Sequence, residues 1–142
     1  MKRKRILFLC TGNSCRSQMA EGFTRALRGD EFEAYSAGIE THGMNPRAVA
    51  VMAEVGVDIS AQRSKHVDEL ADVDCEYVVT VCDHSNENCP VWPGRAKRLH
   101  VSFDDPPVLA RDAATEDEAL AHYRRVRDEI RAFVEAMPDS LG

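Results

Sequence analysis

The first apolar run of the chain, Ile6-Leu7-Phe8-Leu9 after Arg5, shows no alternation of apolar and polar residues. A sheet with one wet face imposes such alternation, so the unbroken run predicts a parallel strand over 5–9 that is covered on both sides. It feeds into small, turn-forming residues from Cys10 to Ser17. Met19, Ala20, Phe23, Ala26 and Leu27 then recur at helical spacing, with Gly29 placed to cap the end. Phe32 to Ala37 predicts a second strand. Asn45 offers an N-cap, Pro46 a first helical residue, and Ala48, Val49, Met52 and Val55 an apolar face that Gly56 ends. Glu76 to Cys82, rich in β-branched residues, predicts a third strand and Lys97 to Val101 a fourth. Thr115 and Glu118 have the spacing of a capping box. Leu120, Tyr123, Val126, Ile130, Phe133 and Met137 line one face of a closing helix that Pro138 terminates.

Strands alternating with helices predict an α/β fold: one domain over 1–142, with a four-stranded, mainly parallel sheet flanked by helices. No repeat or linker divides it. Ligands of such sheets bind at the carboxyl ends of the strands. Cys10, Cys82 and the stretch Phe103-Asp104-Asp105-Pro106 all fall just beyond predicted strands, so three chemically capable segments converge on one rim.

Composition narrows the function. The 142 residues are 44% hydrophobic and 30% charged, ordinary values for a globular domain, and the formal charge of -6 argues against a general nucleic-acid surface. The basic start Lys2 to Arg5 imitates a signal peptide, but the four apolar residues after it fall short of the ~7 to 15 that one needs. No stretch approaches the ~18 apolar residues of a membrane span. These features predict a cytoplasmic protein with no membrane or nucleic-acid partner; a monomer is expected, although nothing in the sequence fixes the oligomeric state. Five cysteines, Cys10, Cys15, Cys75, Cys82 and Cys89, are an odd count, which disfavours a disulfide framework. Zinc is weighed because His84 and His100 lie near Cys82 and Cys89, but the spacings are wrong for a zinc knuckle, and no metal is expected.

The chemistry concentrates in Cys10-Thr11-Gly12-Asn13-Ser14-Cys15-Arg16-Ser17, which is C-x5-R-S between a strand and a helix. Such a loop turns successive backbone N–H groups inward at a helix N-terminus and cradles a tetrahedral oxyanion, to which Arg16 adds a planar fork. The same groups favour the thiolate of Cys10, so one cradle binds the anion and activates the nucleophile. Asp105 precedes Pro106, which holds it extended so that its carboxyl can project over the rim, although an Asp-Pro read alone is more often an ordinary acidic turn residue.

The run from Leu9 to Glu21 resembles the signature of the low-molecular-weight phosphotyrosine phosphatase superfamily, and more narrowly the arsenate reductases built on that fold. Ser36-Ala37-Gly38, His42-Gly43, Asn45-Pro46 and Phe103-Asp104-Asp105-Pro106 extend the likeness over nearly the whole chain. The resemblance implies attack by Cys10, clamping by Arg16, steadying of the thiolate by Ser17, and proton donation by Asp105. It also implies arsenical detoxification with no bound cofactor and with thioredoxin as electron donor. Arsenate would be the substrate, with phosphate and sulfate as competing oxyanions.

A phosphatase needs one cysteine, so Cys82 and Cys89 separate the alternatives. A thiol adduct of arsenic(V) must still accept two electrons, and a second thiol attacking the Cys10 sulfur supplies them. Exchange from Cys10–Cys82 to Cys82–Cys89 would carry the oxidation away from the nucleophile. Seven residues of helix would separate the last two Cα atoms by ~10 Å against the ~5.5 Å of a disulfide, so the polar stretch between them would have to unwind. Cys15 and Cys75 are expected to be passengers, and Trp92 a packing residue or a surface for the reductant. A tyrosine phosphatase is the first alternative, although the stretch from Gly38 to Met44 lacks the aromatic residues usual there. A thiol that binds arsenite or zinc without turnover is the second. Some thioredoxin-coupled relatives hold potassium beside the loop through residues matching Asn13, Glu21 and Ser36. This chain carries Arg63 and Lys65 in the segment that completes that site, and the Lys65 ammonium is expected to replace the ion.

Overall fold

The structure is a computed structural model and describes residues 3–82 and 96–142. Strand β1 (Lys4–Cys10) is the unalternating run of the sequence. Its successive side chains enter different cores. Ile6, Phe8 and Cys10 join the larger one with residues of the long helices, whereas Leu7 and Leu9 join a smaller one with Ala37, Leu70, Cys75 and Val78. A strand with two buried faces has no place for polar residues, which explains the pattern. Phe8 is fully buried, and its truncation to alanine costs about 3–5 kcal/mol in such settings.

The sheet is parallel with order β2-β1-β3-β4. β2 (Phe32–Gly38) pairs with β1 along its whole length, and β3 (Tyr77–Thr80) pairs with the other edge of β1, Leu9 opposite Thr80. β4 (Lys97–His100) closes the order. Helix α1 (Arg16–Leu27) leaves the carboxyl end of β1 and packs with α4 (Glu116–Glu135), which also contacts α2 (Pro46–Glu54). The short α3 (Pro106–Leu109) follows Asp105.

Several signals act as read. Asn45 accepts from the N–H groups of Arg47 and Ala48 at the start of α2, and Gly56 ends that helix region with φ +80°. Other details differ. α1 ends at Leu27 with Arg28, whose N–H bonds the Thr24 carbonyl, as its C-cap, and Gly29 follows it without the positive φ of a glycine cap. Thr115 accepts from Glu118 N–H as in a capping box, but the Glu118 carboxylate reaches the N–H of Ala114 instead of that of Thr115. β3 and β4 are shorter than the expected 76–82 and 97–101, although the N–H groups of Val81 and Val101 still bond the Leu9 and Thr80 carbonyls. α3 and a 3-10 turn at Val67–Leu70 have no counterpart among the sequence expectations; four residues are too few to show a period.

Candidate active site

Cys10 is the last residue of β1 and Arg16 the first of α1, so the loop between them connects the middle of the sheet to a helix N-terminus. Cys15 at the N-cap position makes no side-chain hydrogen bond to that helix. No Cys15 side-chain cap competes for the first turn, where backbone N–H groups and the helix dipole together favour an anion. Close packing behind the loop comes from β2. A Cβ at Gly38 would stand 2.6 Å from the Thr11 carbonyl and 2.9 Å from both Asn13 N and Cys10 O, so only glycine lets the strand approach this near.

A cavity of about 180 Å³ opens over the loop, lined by Cys10, Gly12, Ser14, Arg16, His42 and Asp105 among others. The Cys10 thiol is 3% exposed and lies 2.9 Å from the Ser17 hydroxyl. Arg16, 4% exposed, donates through Nη1 to the Phe103 carbonyl at 3.2 Å and places Nη2 3.6 Å from the Asp105 carboxylate. Asp105 is extended (φ −87°, ψ 107°), as a residue before proline should be, and α3 begins immediately after it. The cavity thus brings a thiol, a guanidinium and a carboxyl group around one small space.

A second layer braces the loop, and although the sequence singles out Asn13 and Lys65, it does not show the bonds that join them to Ser17, Gln18 and Gln62. Asn13 is fully buried with φ +49°, a conformation that asparagine tolerates better than most residues. Its side-chain amide donates to Ser17 Oγ at 2.8 Å, and its Oδ1 accepts from the backbone N–H of Lys65 at 2.7 Å. Gln18 and Gln62 extend this network, and Ser64 donates to the Gly12 carbonyl. No periodicity marks these positions; the only signal was their polarity beside a catalytic motif.

Lys65 lies beside the buried Glu21. Its ammonium is 3.7 Å from the buried Glu21 carboxylate, which also takes Ser36 Oγ at 2.6 Å and Arg25 at 2.6 Å. The ammonium donates to the Arg63 carbonyl, whereas it is the Lys65 backbone that reaches Asn13. Burial pulls the Lys65 ammonium below the usual lysine range, and Glu21 opposes that shift. Among the described residues no cluster of three or more His, Cys, Asp or Glu could hold a metal ion. No described helix is long and apolar enough to cross a membrane.

The remaining cysteines divide cleanly. Burial pushes the Cys15 thiol well above its ordinary range, with Asp105 and Cys10 adding to the shift. Cys75 is pushed up to about 11, again by burial first. Both are free. Cys82, fully buried, shares the larger core with Cys10 and is disulfide-bonded. Cys89, the polar stretch before it and Trp92 lie outside the described residues.

Residues 5–142 match the low molecular weight phosphotyrosine protein phosphatase family. The chain belongs to that family. Among its relatives an arsenate reductase of Bacillus subtilis is 53% identical over 130 residues, 92% of this chain and 91% of that protein. An arsenate reductase of Shouchella clausii is 49% identical over 142 residues, 99% of each. A solved arsenate reductase in the phosphate binding state superposes with a TM-score of 0.77 at 30% identity, covering 98% of this chain and 99% of that one. The strand-loop-helix of this phosphatase family accordingly accounts for the position of Cys10, while the thiols beyond it need a separate explanation.

Proposed function

We propose that the protein reduces arsenate to arsenite, with Cys10 as nucleophile and Cys82 and Cys89 as successive carriers of the oxidation. The carrying observation is that Cys10 stays a free thiol in an anion-sized cavity while Cys82, on the neighbouring strand's carboxyl rim, is disulfide-bonded. A hydrolytic phosphatase has no use for the second thiol. Identity of about half over nearly full length with arsenate reductases supports the same reading.

Arsenate enters with its oxygens on the N–H groups at the start of α1 and on Arg16. The Cys10 thiolate attacks arsenic, an S–As bond forms, and an oxygen leaves as water with a proton from Asp105. Cys82, as thiolate, then attacks the Cys10 sulfur. The S–S bond forms as the S–As bond breaks, and its electron pair stays on arsenic, which departs as arsenite. Attack by Cys89 on Cys82 frees Cys10 and leaves a Cys82–Cys89 disulfide. Thioredoxin, a dithiol donor, reduces that bond and closes the cycle. Phosphate and sulfate compete for the cradle because both are tetrahedral oxyanions close to arsenate in shape and charge. The protein works in the cytoplasm as a monomer with no resident cofactor.

Incubation with arsenate, thioredoxin, its reductase and NADPH tests this. Arsenate-dependent nicotinamide oxidation that disappears in Cys10→Ser is the expected result; oxidation without arsenate, or turnover surviving that change, would overturn it.

A further inference from the structure

Gln18 is fully buried at the start of α1 and has no part in the reaction just described. Its Nε2 lies 3.0 Å from the backbone carbonyls of Asn13 and Arg63 and 3.0 Å from Asn13 Oδ1. Two of those partners are peptide carbonyls, which only accept, so the amide is fixed with its NH2 group toward the loop. The oxygen at its other end accepts from Gln62 Nε2 at 2.8 Å, and Gln62 is oriented in turn by the Gln18 backbone carbonyl at 3.0 Å.

The direction propagates to the sulfur. Asn13 Oδ1 receives Gln18 Nε2 and the Lys65 N–H, so the Asn13 NH2 must face the other way, toward Ser17 Oγ at 2.8 Å. A hydroxyl that accepts from Asn13 keeps one hydrogen to give, and the Cys10 sulfur stands 2.9 Å from it. Reversing any amide in the series would set two donors or two acceptors against each other at that link.

We propose that Gln18 is a positioning residue for the nucleophile: it holds the Asn13 amide in the one orientation that directs the Ser17 hydroxyl hydrogen at Cys10. A hydrogen bond given to sulfur is stronger when sulfur is an anion, so the series favours the reactive form. This rests on Cys10 being the nucleophile, and the measurement is chosen to need no arsenate.

The rate of Cys10 alkylation by iodoacetamide, read by peptide mapping of the reduced protein, is followed against pH in the wild type, Gln18→Glu, Gln18→Met and Gln62→Leu. Glutamate cannot donate and attracts the Asn13 NH2, which would turn Asn13 Oδ1 toward Ser17 and take its hydrogen from the sulfur. We expect the midpoint in Gln18→Glu to rise by about one pH unit, a roughly tenfold slower reaction below the midpoint. Gln18→Met and then Gln62→Leu should show smaller shifts in the same direction. The Gln62 variant, at a part-buried site, keeps the test available where a Gln18 variant fails to fold. Rates that fall equally at all pH values with an unmoved midpoint would make Gln18 a packing residue and overturn the proposal. A wild-type Cys10 that is not the fastest-labelled thiol would instead overturn the reading of Cys10 beneath it.

Discussion

Arg16 holds Asp105 across the mouth of the cavity, with Nη2 3.6 Å from the carboxylate while Nη1 is fastened to the Phe103 carbonyl. One planar group therefore fixes the Asp105 carboxyl at the edge of the cavity that it also lines. Lysine keeps the charge but loses the fork. Arg16→Lys should lower kcat/KM roughly 10²–10³-fold, the range for loss of one preorganised oxyanion donor. Asp105→Asn should lower kcat about 10²-fold with oxyanion affinity retained. Steady-state rates together with sulfate inhibition constants separate the two; loss of affinity alone in the Asn variant would make Asp105 a binding group.

The three cysteines should fail in different ways. Cys10→Ser loses arsenate reduction and residual aryl phosphatase activity together. Cys82→Ser loses reductase turnover yet still attacks an aryl phosphate. Cys89→Ser releases one arsenite per molecule and stops with Cys10 joined to Cys82. Mass spectrometry of acid-trapped protein reads the bonds, and a Cys10–Cys89 bond preceding any bond to Cys82 would contradict the order.

Burial raises Cys15 well above the ordinary thiol range and Cys75 to about 11. Near neutral pH neither should react with iodoacetamide in the folded, reduced protein, and both should react once it is unfolded. Early labelling of Cys15 at pH 7 would show that the loop opens far more than its 3% exposure suggests.

With the Lys65 ammonium beside Glu21, a fixed charge already occupies the neighbourhood of the carboxylate. Activity and melting temperature should be the same in potassium and sodium at constant ionic strength. Lys65→Ala should lower the melting temperature, and Lys65→Asp should create a response to potassium. A potassium dependence in the wild type would refute the substitution of the ion by lysine.

Glu54 ties α2 to α4 through Arg124 and Arg127, and their hydrogen bonds, Arg124 first, lower its carboxyl from 4.5 to about 2. A folded value below the unfolded one means that the stabilisation is fully present above pH 4.5 and is lost as pH falls through about 2. Glu54→Gln should melt earlier than wild type at pH 7, with the gap closing over that window in a pH series of thermal melts.

The main architecture was legible in the sequence where burial imposes a pattern. The unalternating run before Cys10 and the spacing of Tyr123, Val126 and Ile130 each required one particular neighbour, and the fold supplies it. The candidate anion loop was legible because Cys10, Arg16 and Ser17 are close in the chain. The bracing of Asn13 was not, since Lys65 lies 52 residues away and acts through its backbone N–H, which carries no side-chain signature. The role of Gln18 was hidden for a related reason. A buried amide is defined by the carbonyls around it, and one of those belongs to Arg63.

The strand order has a chemical meaning of its own. β1 stands between β2, whose Gly38 presses on the anion loop, and β3, beyond whose end lies Cys82. Contacts from Gly38, Ser64 and Lys65 reach the loop from the β2 flank, and in the proposed cascade electrons would leave by the other. The central strand acts as a partition: sulfur partners can be exchanged on the β3 flank while the contacts from Gly38, Ser64 and Lys65 keep the anion site ready for the next substrate.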